Sequence, residues 1–385
     1  MTMDRQMKLT YGMVGGGPGA FIGDPHRRSI ALDGEAKLVC GCFSNDGEKT
    51  AMMADILDIE AIRCYAGYKY MAKAESERED GIDFVVVVTP NSTHYEICKT
   101  FLEYGINVVC DKPLALNYAQ ASELRDLAKE KDLLFMVTYT YMGYVTSKYA
   151  KDLIKKGEIG DVRMVMAEYP QGWLAFEGDN GGKQGEWRCN PNASGSVNCL
   201  GDLGTHIENA VATFTGLKIK KVLAKMDVVV PGRVLDDNDT IMVEFDNGAS
   251  GVFWSSQIAV GYDNDLRVRI YGSKGTIEWF QRTPDQITVI DENNTAHEIH
   301  RGHNVIPDNV SRYNRLPSGH PEGWMCAMSN LYRSFIECLV AKKEGTFTED
   351  MIDYPTVEQG ADGIAFVEAC VQSNKLGNVW VELQK

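Results

Sequence analysis

At 385 residues, with 44% hydrophobic and 24% charged side chains, the chain is too long for one ordinary core and suits two domains of a globular protein. No apolar run approaches the roughly 18 residues of a spanning helix. A formal net charge of -15 without a basic arm repels polyanions, so neither a membrane span nor a nucleic-acid partner is expected.

The opening MTMDRQMKLTYGMV has no long apolar stretch and no small-residue cleavage site, which predicts a cytoplasmic chain. In that reducing compartment the 10 irregularly spaced cysteines read as buried thiols. Short apolar runs then alternate with helix-length amphipathic segments, the rhythm of a parallel sheet with crossover helices. Strands are predicted over 8–14, 36–43, 84–89, 107–110 and 133–137, and helices over 94–104 and 118–129. This is a doubly wound α/β fold, expected over residues 1–142.

After the first strand comes GMVGGGPGAFIGDPHR, where Gly15, Gly17 and Ala20 fill a G-x-G-x-x-A pattern. Gly15 permits the tight turn, Gly17 lets backbone approach a pyrophosphate, and the small residue at 20 lets helix and strand pack closely. Gly19, Phe21 and Ile22 complete the loop, and helix N-terminal amides would face the anion. The usual ribose-binding acid is missing at the end of the second strand, which runs into Ser44, Asn45 and Asp46. Asp46 could reach a ribose hydroxyl, while Ser44 with Lys49 could hold a 2'-phosphate; NAD is the expected cofactor, with NADP left open. Thr89, Pro90, Asn91 and His94 follow the third strand at the sheet's carboxyl edge, where ligands bind in such folds. Asn91 or Ser92 would also cap the next helix.

Beyond residue 143 the rhythm changes. A helix over 146–156, a Gly/Asn-rich stretch over 178–195 and a helix over 200–214 precede strands over 240–245, 249–258, 266–271, 276–280 and 286–290, read as a hairpin meander. Helices over 325–342 and 357–376 close a second domain, expected over 143–385.

Oxidising an alcohol requires a base for the hydroxyl proton, a donor or cation for the oxygen, and a nicotinamide against the carbon. Asp111-Lys112-Pro113 follows the fourth strand, so Lys112 projects near the sheet's carboxyl edge on a turn stiffened by proline. In GSVNCLGDLGTHIENAVATF, Asp202 and His206 stand four apart, on one helix face or a turn approaching it. A carboxylate coupled to an imidazole at that spacing raises its basicity and fixes its orientation.

Together the Gly15-x-Gly17 loop, Thr89-Pro90-Asn91 with His94, Asp111-Lys112-Pro113, and Gly201-Asp202-x-x-x-His206 resemble the glucose-fructose oxidoreductase, inositol dehydrogenase and rhizopine-catabolism (Gfo/Idh/MocA) family along essentially the whole chain. The resemblance implies a Rossmann domain followed by an α/β domain with an open, mostly antiparallel sheet, and a homo-oligomer, dimer or tetramer, built through that sheet. It also implies roles: Lys112 positions cofactor and substrate hydroxyl, Asp202 assists through substrate hydrogen bonds, and His206 accepts the proton. Asp111 departs from the family's Glu, a shorter acid at that contact.

The run EYPQGWL and the later Trp187-Arg188 resemble a branch that includes levoglucosan dehydrogenase and enzymes oxidising glycosides at C3. A flat aromatic beside polar groups suits a pyranose, which makes Gln171, Trp173, Trp187 and Arg188 substrate-contact residues, with Tyr139, Tyr141 and Tyr144 as similar candidates whose alternative is to pack the domain junction. His297, His300 and His303 lie past the predicted sheet without helical periodicity, and no metal is expected. Two other readings stand beside the dehydrogenase: tightly bound NAD used transiently in a redox-neutral sugar conversion, and a non-catalytic dinucleotide sensor.

Overall fold

The computed structural model describes residues 9–177 and 182–384, apart from the side chains of residues 183, 184 and 187. The chain divides into two compact units. The first comprises the chain up to Ala115, Ala119–Thr140 and Met325–Glu358; the second comprises Leu116–Tyr118, Tyr141–Trp324 and everything from Gln359.

In the first unit, β1 (Leu9–Gly15), β2 (Ala36–Cys42), β3 (Phe84–Val88), β4 (Asn107–Cys110) and β5 (Phe135–Val137) form a five-stranded sheet in the order β2-β1-β3-β4-β5. All four pairings are parallel. Every residue of β3, FVVVV, is buried, as a central strand covered on both faces requires. The helices Gly47–Ile56 and Tyr68–Ser76, which the sequence pattern did not announce, fill the crossover between β2 and β3.

A single boundary at 142 does not describe this packing, because Met325–Glu358 returns to the first unit. The helix Trp324–Glu344 sets Phe335 edge-on to Phe84, with ring centroids 5.5 Å apart. Its Arg333 pairs with Asp33 at 2.9 Å. Its Tyr332 hydroxyl lies 2.5 Å from Nδ1 of His26, a fully buried imidazole whose pKa burial pushes down to about 4. An amphipathic helix announces that one face is covered, not which part of the chain covers it.

The second unit holds β6 (Val162–Pro170), β7 (Ile219–Asp227), β8 (Asn238–Phe245), β9 (Ser250–Ser256), β10 (Arg267–Gly272), β11 (Thr276–Phe280), β12 (Gln286–Ile290), β13 (Ala296–His300) and β14 (Val381–Glu382). They form one mostly antiparallel sheet in the order β13-β12-β11-β10-β6-β9-β8-β7-β14. The expected meander is therefore interrupted: β6 separates β9 from β10, pairing parallel with the former and antiparallel with the latter. Strand β8 alternates buried and exposed residues, so one face is covered. The helices Val145–Lys155 and Thr205–Thr215 contribute to that cover through Tyr144, which begins the first, and Phe214, both against the fully buried Trp279. The histidine run does not lie past the sheet, as the sequence suggested: His297 and His300 belong to its edge strand β13, exposed, where they meet Asp291 and Glu298.

Candidate active site

In the first unit, β1 runs into a loop that only glycine can trace. Gly15, Gly16 and Gly19 all have positive φ. A Cβ on Gly15 would stand 2.7 Å from the Val88 carbonyl oxygen, and one on Gly17 would stand 2.5 Å from that of Phe43. Gly17 thus also keeps the loop against the end of β2, besides leaving its face open.

Ala20 does not take the helix-packing position that its place in the pattern suggested. It is exposed, donates its N–H to Gly17 O at 3.0 Å, and precedes a helix that starts only at Gly23. The extra Pro18-Gly19 turn delays the helix, and Gly23 makes the close approach, where a Cβ would lie 2.5 Å from Gly16 Cα. Ile22 caps the helix without a side-chain hydrogen bond, and Phe21 is exposed, so first-turn amides remain available to an anion. A glycine cradle with an uncapped helix start fits a dinucleotide pyrophosphate.

At the end of β2, Ser44 is braced by backbone hydrogen bonds with the Thr50 hydroxyl, both 3.0 Å, and Asn45 is exposed. Asp46 caps the helix Gly47–Ile56, accepting N–H groups from Glu48 and Lys49. The Lys49 amide, chiefly, holds its carboxyl below the ordinary range. Lys49 Nζ stands 3.6 Å from the same carboxylate, so its charge already has a counterpart.

His94 ties two loops together, with Nε2 2.8 Å from Thr89 O and Nδ1 2.8 Å from Pro113 O. It is buried, so its hold on Thr89, Pro90 and Asn91 is exerted through the backbone. The expected cap by Asn91 or Ser92 does not form; instead the Thr93 hydroxyl bonds back to Thr89 Oγ1 and Pro90 O. Asp111 accepts the Lys112 N–H at 3.0 Å and the Thr138 hydroxyl at 2.9 Å, which anchors the turn carrying Lys112 to the exit of β5.

In the second unit, His206 lies just past a π-helical turn, Leu200–Gly204, at the start of the helix Thr205–Thr215. Its ring sits 4.9 Å from that of Tyr141 and 5.8 Å from that of Tyr169. Asp202 Oδ2 accepts Arg188 Nε at 3.1 Å and Gln257 Nε2 at 3.2 Å. The Arg188 guanidinium lies 5.7 Å from the Trp173 ring centre. Trp173, Arg188 and Asp202 are thereby joined, and the charge of Asp202 reaches Tyr141 and Tyr169, the two rings beside His206.

Two substrate-contact expectations read differently, and a third is untested. Gln171 is buried with both amide ends engaged, the oxygen by Trp173 Nε1 at 2.6 Å and the nitrogen by Asn264 Oδ1 at 2.5 Å, so it braces the aromatic. Tyr144 packs on Trp279 in the unit's core. The Trp187 side chain lies outside the described residues.

Asp236 holds the segment that leads into Asp202. Its carboxylate accepts the N–H of Asn198 at 2.7 Å and of Leu200 at 2.6 Å, and its backbone oxygen accepts the N–H of Cys199. Donor atoms of Cys199, Asp236 and Asp239 lie within 4.8 Å of one another. Both Asp236 oxygens are already taken by amides, however, and burial beside that charge pushes the Asp239 carboxyl well up toward its neutral form.

The description "Oxidoreductase family, NAD-binding Rossmann fold" matches residues 9–139, and "GFO/IDH/MocA C-terminal domain" matches residues 147–278. An uncharacterized oxidoreductase of Bacillus subtilis, YfiI, is 35% identical over 98% of this chain and 97% of its own. The chain belongs to the Gfo/Idh/MocA oxidoreductase family. An inositol dehydrogenase homologue from Azotobacter vinelandii, 32% identical, superposes over 98% of both chains, with a TM-score of 0.93 for its NAD+ complex and 0.91 for its complex with NADH and myo-inositol. Levoglucosan dehydrogenase of Pseudarthrobacter phenanthrenivorans is 27% identical over 73% of this chain and 76% of its own. As a Gfo/Idh/MocA enzyme the protein is an NAD-dependent oxidoreductase whose first unit is the family's NAD-binding Rossmann domain. Among the described residues no helix is long and apolar enough to cross a membrane.

Four polar partners in this Gfo/Idh/MocA site, Tyr169, Asn198, Gln257 and Asn264, were not singled out from the sequence. Tyr169 stands inside the EYPQGWL run and could have been found there. Gln257 arrives through topology: β6 pairs with β9 so that Pro170 faces Ser256, and the Gln171 N–H bonds the Ser256 oxygen at 2.7 Å.

Proposed function

We propose that this enzyme is a dehydrogenase of a sugar, glycoside or polyol, acting on a secondary alcohol carbon. One observation carries the reading: a nearly buried imidazole, His206, shares its neighbourhood with a carboxylate steadied by Arg188 and Gln257 and with the Trp173 face. An aromatic plate with polar groups around it matches the amphipathic faces of a cyclic polyol. The likeness to an inositol dehydrogenase homologue solved with myo-inositol supports the same class.

NAD, held by the Gly15–Ile22 loop with Ser44, Asn45 and the Thr89–Asn91 segment, supplies the hydride acceptor when bound. The chain's own residues take three roles. His206 takes the hydroxyl proton at its imidazole, Lys112 donates a hydrogen bond to that oxygen, and Asp202 orients the substrate through a neighbouring hydroxyl. The finer reading, oxidation at C3 of a glucoside, draws on the levoglucosan dehydrogenase similarity. A homo-oligomer through the open sheet, where Met164 on β6 and Met242 on β8 stand exposed, belongs to the same proposal.

The test is NADH release with a panel of myo-inositol, levoglucosan and methyl β-D-glucoside, with NMR of the product to locate the carbonyl. A ketone accompanied by stoichiometric NADH is expected. Product without NADH would replace the dehydrogenase by a redox-neutral cycle, and a ketone away from C3 would remove the finer assignment. Light scattering of the purified enzyme reads the oligomer, and a monomer would refute it.

A further inference from the structure

We propose that Asn264 is a specificity-determining residue of this site, its side-chain amide nitrogen presented as a fixed donor for an acceptor oxygen of the polyol. The proposal rests on the polyol reading above and deepens it. Two hydrogen-bond chains meet at Asn264, and the polarity of the first is set at its origin by a group that can only donate.

The first chain begins at Trp173. An indole N–H has no acceptor form, so the Gln171 atom 2.6 Å from it is the amide oxygen. The Gln171 nitrogen therefore faces Asn264, and the Asn264 atom 2.5 Å away is its oxygen. The second chain runs from Tyr141 through Tyr169. The Asn264 oxygen fixed by the first chain can only accept, so Tyr169 donates its one proton to it at 2.9 Å and the Tyr141 hydroxyl, 2.5 Å from that of Tyr169, is the donor to Tyr169.

An amide oxygen has two lone pairs, and both are then used. Flipping Asn264 would turn its NH2 toward the Gln171 NH2, so the first chain locks its orientation. Asn264 itself is exposed, and among the described residues its Nδ2 makes no hydrogen bond. The result is an oriented, solvent-facing donor on a residue bonded to Tyr169, whose ring packs beside His206. Gln171, expected from sequence to contact the sugar, is buried and engaged at both ends, so it braces Trp173 instead. Asn264 has the unused donor that a hydroxyl or ring oxygen would accept.

Asn264→Asp keeps the shape and the inward oxygen but replaces the outward donor with an acceptor; Asn264→Ser withdraws the amide without adding charge. With NAD and the polyol of the panel that the wild type oxidises, both variants should raise the KM for that polyol roughly 10- to 100-fold, the range for losing a hydrogen bond at a desolvated contact. The kcat should stay within about threefold, and the KM for NAD should not move. Among monodeoxy analogues of that polyol, the one lacking the contacted oxygen should lose a similar factor on the wild type and nothing further on Asn264→Asp. A wild-type KM in both variants overturns the proposal and leaves the dehydrogenase reading standing. A wild-type enzyme that oxidises no polyol in the panel overturns that reading, and this one with it.

Discussion

The carboxylate of Asp236 accepts the backbone N–H of Leu200 at 2.6 Å, two residues before Asp202. With Asn198 and Cys199 bonded to the same residue, three successive amides are pinned at the entry to the π-helical turn. Asp236→Ala leaves buried N–H groups unsatisfied, at about 1–3 kcal/mol each. The expected result is a lower urea midpoint together with a roughly tenfold fall in kcat, because the turn carrying Asp202 and His206 loses its anchor. Unfolding curves read the first and steady-state assays the second; a kcat equal to wild type in folded protein would separate Asp236 from catalysis.

His206→Ala should lower turnover about 100- to 10,000-fold, the range for a positioned base, while NADH affinity stays close to wild type. Steady-state kinetics and a fluorescence titration read the two quantities. Unaltered turnover would retire His206 as the proton acceptor.

At Gly17 even a methyl group meets the Phe43 carbonyl oxygen at 2.5 Å, so the loop must leave the end of β2 to admit it. Gly17→Ala should weaken NADH binding by roughly tenfold or more, and Gly17→Val should abolish it. Isothermal titration gives the answer directly, and wild-type affinity in the alanine variant would mean the loop is not the cofactor's cradle.

Glu208 is buried on the helix Thr205–Thr215, and its carboxyl is raised from 4.5 to about 8, first by burial and then by the charge of Asp362. Between those two values the native chain keeps a proton that the unfolded chain has released. Stability should therefore fall as pH rises through that window. Glu208→Gln removes the titration and should flatten the decline, raising Tm at pH 8 but not at pH 4.5. Thermal melts across that range decide it, and parallel curves for the two proteins would count against the shift.

Much of the first unit was legible because its signals are local. A run such as FVVVV is a buried strand wherever it occurs, and glycines at fixed offsets after a strand announce a turn onto a helix. The helix start at Gly23 was not legible, since the Pro18-Gly19 turn is indistinguishable in sequence from the opening of the helix itself. In the second unit the meander was misread because β6 enters the sheet between strands that follow it by more than 80 residues, and no local pattern encodes such an insertion. Lys112, Asp202 and His206 are candidates because short motifs name them, whereas Gln257 and Asn264 enter the candidate site through that pairing. Gln171 belongs to the expected neighbourhood but plays a different part in it. Its place in the sequence shows an amide near an aromatic, and only the folded sheet shows that both ends of that amide are occupied.

The return of Met325–Glu358 to the first unit has a consequence for anyone cutting the gene. A fragment ending at residue 142 would expose Phe84 and leave His26 without Tyr332, so it should be recovered as insoluble material. Grafting this cofactor module onto a different catalytic half requires two separated stretches of coding sequence. In that sense the enzyme is spliced like a rope and cannot be parted at a seam.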